Sequence, residues 1–202
     1  RMKLSFLPNG NCVILPNING RGYGFFKITE GESSGLWSVL RSSEDEVLKG
    51  SLLITLYENL RWKTISPQGF REEMLAYLPN ESNSLLFSMA LSYLGDCQRI
   101  FPSDSRPLEQ VLWKIVTTNP VSQHRLQAFR LYRSIADSEE AVQRLYTLWQ
   151  ERKAPKDCTL SESDYIGLSY MLAIHLPEKA DKIIATQLSR IQNPDRKKEY
   201  QF

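Results

Sequence analysis

Two histidines, three cysteines and several adjacent carboxylates are the residues of this 202-residue chain with the means to do chemistry, and their spacing keeps them from doing much of it together. His124 lies between Gln123 and Arg125 near a helix start at Asn119, and an isolated imidazole without a partner reads as a solvated polar residue. His175 ends the apolar run Tyr165–Ile174, where a cation suits the C-terminal helix dipole. No serine, cysteine or aspartate can be set beside either one, so no triad is supported. Cys12, Cys97 and Cys158 are far apart with no C-x-x-C, which removes a zinc knuckle and a thioredoxin-type site. Their odd number argues against a disulfide framework, and Cys97 reads as a small core hydrophobe. The carboxylate groups Glu44-Asp45-Glu46, Glu72-Glu73 and Glu139-Glu140 fall in first helical turns or on polar faces, where a dipole gain of about 0.3–1 kcal/mol accounts for them.

Two other patterns have an equally plain reading. Gly20-x-Gly22-x-Gly24 runs into Phe25-Phe26-Lys27-Ile28, a strand pattern, whereas a phosphate cradle must open a helix. Tight turning and close backbone approach explain these glycines better. Arg196-Lys197-Lys198 is a solvated helix face. The sequence therefore assigns no catalytic, metal-binding or cofactor-binding residue, and substrate-contacting residues stay unassigned.

The elements that would have to position such residues change character near residue 30. Met2–Leu7 alternates apolar and polar residues, Pro8-Asn9-Gly10-Asn11 is a turn, Cys12–Leu15 is a second run and Tyr23–Ile28 a third. The pattern predicts a small antiparallel β meander, marginal unless something extends or covers it. Beyond Glu30 the punctuation is helical. Ser43 with Glu46 and Asp137 with Glu140 read as capping boxes. Ser66-Pro67, Asn119-Pro120 and Asn193-Pro194 read as caps followed by a proline at the first helical position, and Arg106-Pro107 and Leu176-Pro177 repeat the proline. Apolar residues recur at helical spacing between these starts: Val47, Leu48, Leu52, Leu56 and Leu60 on one face, Leu85, Met89 and Leu94 on another, then Leu108, Leu112, Ile115 and Val116. The same spacing continues through Phe129 and Tyr132, Leu145 and Trp149, Leu172, and Ile183 to Ile191. A helix pair takes about 40 residues, which predicts a mainly α chain built as an irregular HEAT- or armadillo-like α-solenoid. Two regions follow: residues 1–30 as a β remnant, and 31–202 as a helical repeat domain.

Leu15-Pro16-Asn17, Gly20 and Gly22-Tyr23-Gly24-Phe25 resemble the run in bacterial members of the aminopeptidase N family of zinc metallopeptidases where a β-sandwich ends and the C-terminal helical domain begins. Leu56-Tyr57-Glu58-Asn59 is similar to the first long helix after that junction, and Ile191–Arg196 with Tyr200 and Phe202 to a later segment. The resemblance implies a parent that uses zinc to remove N-terminal residues from peptides, with this portion arching over the cleft and limiting entry. Its partners would be the upstream catalytic and β-sandwich domains and the parent's peptide substrates. The family's zinc motif, H-E-x-x-H, has no counterpart here, because His124 and His175 are followed by Arg125 and Leu176. The zinc would belong to the parent, no cofactor to this portion, and the portion alone would be inactive. Arg1 in place of an initiator Met agrees with an excised piece of a longer protein or with a processed chain. The alternative is a free-standing α-solenoid that binds a protein partner in its groove.

Composition narrows the classes further. With 42% hydrophobic and 24% charged residues the usage is that of a globular domain, and a net charge of +2 points to neither nucleic acid nor a polybasic membrane surface. No apolar run is long enough to span a bilayer, and the compartment, bacterial cytoplasm or periplasm, is open. Trp37, Trp62, Trp113 and Trp149 sit beside leucines at core spacing, but Trp62 and Phe26, near the junction, are expected to be unusually exposed. Tyr200 and Phe202 are expected to lack cover.

Overall fold

The computed structural model describes residues 14, 15, 17, 22 and 24–201, and it is mainly α. No strand occurs among the described residues, and the greater part of the expected meander, with Cys12, Gly20 and Phe202, lies outside them. The chain divides into two compact units, one ending at Tyr93 and the other starting at Leu94.

The first unit holds α1 (Glu30–Ser42), α2 (Glu46–Arg61), α3 (Pro67–Tyr77), a 3-10 turn at Leu78–Asn80, and the first part of α4 (Ser84–Ile100). Thr29 starts α1 with a capping box: its hydroxyl accepts the Glu32 amide while the Glu32 carboxylate takes the Thr29 amide at 2.7 Å. In α2 the cap is Asp45 rather than the expected Ser43, whose hydroxyl accepts the Asp45 amide instead. A carboxylate next to the helix accepts the Val47 and Leu48 amides at 2.9 and 3.1 Å and adds charge favoured by the dipole. Ser66 caps α3 ahead of Pro67 as the sequence predicts. Leu36 and Leu40 of α1, Leu52, Leu56 and Leu60 of α2, and Phe70 and Met74 of α3 are buried together as the core of this unit. Trp37 meets Phe70 edge to face at 5.5 Å. Glu81, buried behind the 3-10 turn, is held by Lys49, by the Tyr77 hydroxyl and by the Asn83 amide at 2.7 Å.

The second unit continues with α5 (Arg106–Thr118), α6 (Ser122–Ile135), α7 (Glu139–Glu151), α8 (Glu162–His175), a 3-10 turn at Pro177–Lys179, α9 (Ala180–Arg190) and α10 (Pro194–Gln201). α5 packs on α6, α7 on α8, α8 on α9 and α9 on α10, and α6 packs on α8, where Arg130 pairs with Asp164 at 3.0 Å and Arg133 donates to the Asp164 carbonyl at 3.0 Å. Gly167 admits that contact, since a Cβ there would lie 2.7 Å from the Arg133 guanidinium. Cys97 is fully buried, as a small core hydrophobe should be.

Two helix starts differ from the sequence reading. Asn119 does not cap a helix at Pro120; its side chain accepts the Val121 amide at 2.9 Å in a local turn, and α6 begins at Ser122. At α7 the cap is Ser138, not Asp137, because the buried Glu109 carboxylate of α5 takes the Asp137 and Ser138 amides at 2.8 and 3.1 Å and fixes the turn. The Ser105 hydroxyl also donates to Glu109, at 2.8 Å.

Burial pushes the Glu109 carboxyl up, but the Ser138 hydroxyl, the two amides and the Ser105 hydroxyl outweigh it and hold the group below its ordinary value. The unfolded chain then takes up the proton first as pH falls, so the stabilisation is complete above the unfolded value and is lost through the folded one. Glu109→Ala, which strips the partners from several buried donors, should lower the unfolding free energy by about 3 kcal/mol in urea titrations. Glu109→Gln should flatten the fall of stability between about pH 5 and pH 3; an unchanged pH dependence would show that Glu109 is not the group titrating.

Candidate functional site

The sequence-predicted candidates are scattered and structural. His124 is 0% exposed in the first turn of α6, contrary to the solvated residue expected, because it lies on the inward side of a turn whose Ser122 and Gln123 are exposed. His175 is the last residue of α8, with Nδ1 3.9 Å from Asp137. Glu72 accepts from Gln68 on the same helix and Glu73 pairs with Arg41. Among the described residues no three His, Cys, Asp or Glu side chains gather in a way that could hold a metal ion. No helix among them is long and apolar enough to cross a membrane.

The glycines behave as turning and close-approach residues. Gly24 has a φ of +145°, and a Cβ on Gly22 would lie 2.8 Å from both the Asn17 side-chain oxygen and the Phe26 ring. Gly22 also donates its amide to Asn17 Oδ1 at 2.5 Å. These contacts fold the segment onto α2, where Ser51 donates to the Asn17 carbonyl at 2.7 Å.

Asn59 secures the same segment farther along. Its side chain is fully buried and uses both acceptor sites and both donor hydrogens. Oδ1 accepts the Ile28 amide at 2.9 Å and the Thr64 hydroxyl at 2.6 Å, while Nδ2 donates to the carbonyls of Phe26 and Thr55 at 2.8 and 2.9 Å. Nothing of matching size and polarity replaces it. Aspartate has no hydrogen for the two carbonyls, and leucine orphans all four groups.

Beside this clamp lies an open groove of about 930 Å³, walled by Phe25 and Phe26, by Val47, Ser51 and Ile54 of α2, and by Leu85, Leu86 and Met89 of α4. Gly50 lines it too; a Cβ there would only reach ordinary contact with Leu86 at 3.7 Å. Val47 is 68% exposed and Leu85 is 76% exposed, so neither belongs to the core face the sequence pattern put it on. The reason lies in α2, which is apolar on two faces: the leucine stripe packs inward and Val47 with Ile54 lies on the other side. Read closely, that second stripe was the available signal. On α4 the buried residues are Leu86, Phe87, Ala90, Leu91 and Leu94, so Leu94 is buried as expected while Leu86 and Ala90 stand in place of the expected Leu85 and Met89. Trp62 is 68% exposed, as expected, and lies 5.7 Å from Phe25; it is Phe25 rather than Phe26 that is the exposed phenylalanine.

A second groove of about 510 Å³ runs along α5 and the start of α7, past Trp113, Lys114 and Arg144. Arg144 lies over the Trp113 ring at 4.6 Å and donates to the Tyr132 hydroxyl at 2.9 Å, so most of its polar capacity is spent inside its own unit. The larger groove has mostly apolar walls and no internal occupant among the described residues. Compared with family models, with curated protein sequences and with solved structures, the chain matches none of them.

Asn59→Leu should cost about 2–4 kcal/mol by urea titration and speed hydrogen exchange at the Ile28 amide well beyond that of the α5–α10 amides. Uniform acceleration across both units would mean that Asn59 does not act as a local clamp.

Proposed function

We propose that this chain is most of the C-terminal helical domain of a zinc aminopeptidase of the aminopeptidase N family, a non-catalytic cover that limits the peptides reaching a zinc site borne by preceding domains. The observation that carries the reading is the meeting of two of the segments that resemble the family. Asn59, from Leu56-Tyr57-Glu58-Asn59, bonds Phe26 and Ile28, directly after Gly22-Tyr23-Gly24-Phe25, across 33 and 31 residues of chain. A resemblance by composition alone has no reason to pair its segments in space. The third segment is also structurally spent: Ile191 is buried, and Asn193 caps α10 by accepting the Asp195 and Arg196 amides at 3.0 and 3.2 Å.

The packing of α5 on α6, of α6 and α7 on α8, and of α8, α9 and α10 in turn supports an irregular HEAT- or armadillo-like array for that part of the chain. The exposed Val47, Ile54, Leu85 and Trp62 support a surface made to be covered by something else. On this reading the reaction, a metal-activated water attacking the first peptide bond, uses no atom of this chain, and the chain's share is steric.

One observation favours the second reading, a free-standing α-solenoid that binds a protein. Tyr200 is 6% exposed, contrary to the expectation that it lacks cover; it stacks on Tyr170 at 4.9 Å and shares a hydrogen bond with Ser169 at 2.8 Å. The rest of α10 is polar and exposed, which is how a capping helix of such an array looks.

The purified chain supplied with zinc should release no product from aminoacyl chromogenic substrates, and chelator-sensitive turnover would overturn the reading. The gene read upstream of the codon for Arg1 should encode H-E-x-x-H followed by a third glutamate ligand. An upstream sequence without it would leave the solenoid scaffold as the better account.

A further inference from the structure

We infer that the groove of the first unit is the seat of a specific kind of segment: one that presents two or three adjacent aliphatic or aromatic side chains with a lysine or arginine beside them. The inference holds whichever parent carries the domain, because it rests on the groove's own chemistry.

The walls are apolar and open. Phe25, Val47, Ile54 and Leu85 are 45%, 68%, 49% and 76% exposed, an arrangement that loses hydrophobic free energy until something covers it. The volume of about 930 Å³ takes several side chains rather than one. Gly50 widens the floor in mid-helix, where glycine is a poor helix former and an alanine Cβ would meet Leu86 only at 3.7 Å. Crowding therefore does not require a glycine at position 50, and its lack of a side chain leaves the floor wider than an alanine would.

The rim sets the sign of the partner. Glu46 and Glu58 line the groove, and no lysine, arginine or histidine does so among its described lining residues. Glu58 has only Arg61, at 3.9 Å and with both side chains about half exposed, while Glu46 makes no ion pair among the described residues. Two carboxylates beside an apolar floor favour a cation placed next to a hydrophobic side chain, and repel an acid there.

The floor is pre-formed. Asn59 and Gly22 fix the Phe25–Phe26 wall, and Asn83, which accepts the Leu85 and Leu86 amides at 2.9 and 3.0 Å, fixes the first turn of α4. A segment entering the groove thus meets a surface already in place, which limits the ordering cost of binding.

The test uses the full chain and three acetylated, amidated hexapeptides: Lys-Leu-Phe-Leu-Leu-Lys, Glu-Leu-Phe-Leu-Leu-Glu and Lys-Ser-Ser-Ser-Ser-Lys. Methyl NMR should show the first shifting Val47, Ile54, Leu85 and Met89, with the second binding about tenfold more weakly at low salt and the third not detectably. The gap between the first two should narrow at high salt and in a Glu46→Gln/Glu58→Gln variant. Gly50→Leu and, separately, the surface variant Leu85→Asp should abolish the shifts while leaving the urea midpoint of the second unit in place. Equal affinity for the lysine and glutamate peptides, shifts centred away from these four residues, or no binding by any peptide would each overturn the inference. So would a photoreactive side chain at position 85 that crosslinks, in the chain alone, to residues 1–13, since the groove would then be filled from within.

Discussion

The side-chain amide of Asn59 holds the first unit to its plan. A buried amide is tolerable only when its donors and acceptors are satisfied, and here the backbone of the entering segment, the preceding turn of α2 and the residue after that helix supply all four partners. With the Ile28 amide and the Phe26 carbonyl secured, Thr29 is set where it can start α1, and Phe25 and Phe26 are held against the side of α2 that the core leaves uncovered. The groove is thus a consequence of the clamp: the residues that wall it on one side have no other anchor as direct as this.

The same economy recurs at the joints between helices. Helix ends and turns leave amides without partners, and buried carboxylates collect them. Glu109 does so for the α6–α7 turn, Glu81 for the approach to α4 and Asp164 for the start of α8, where it also receives Arg130. In each case burial alone would raise the carboxyl's pKa, and the donors around it reverse the sign. Their oxygens are occupied by donors of their own units. Of the adjacent surface carboxylates, Asp45 caps α2, Glu72 accepts from Gln68, Glu73 pairs with Arg41 and Glu140 with Arg144.

Much of the helical layout was legible because helix starts are chemical and local. Ser66-Pro67 and Asn193-Pro194 cap as written, since the groups they satisfy lie within three residues of them. Ser43 and Asp137 misled for the same reason: each has a neighbour, Asp45 or Ser138, that can cap equally well, and a distant partner such as Glu109 chose between them. The polar neighbours of His124 suggest a solvated residue, but one helical turn presents its residues to opposite sides, and His124 falls on the buried side while Ser122 and Gln123 stay exposed. Gly22 and Gly24 were read correctly, because the need for close approach and a positive φ is written in the residue type itself.

Composition and periodicity by themselves determined a mainly α chain after residue 30, with Cys97 in a core. Those properties depend on interactions within a few residues. Which apolar stripe of α2 turns inward, which face of α4 meets it, and that Asn59 joins a segment about thirty positions earlier were decided only in the tertiary structure. The leucine-rich face of α2 turns inward and leaves Val47 and Ile54 on the other side, and what lies beside that second face is set by residues far from it in the chain.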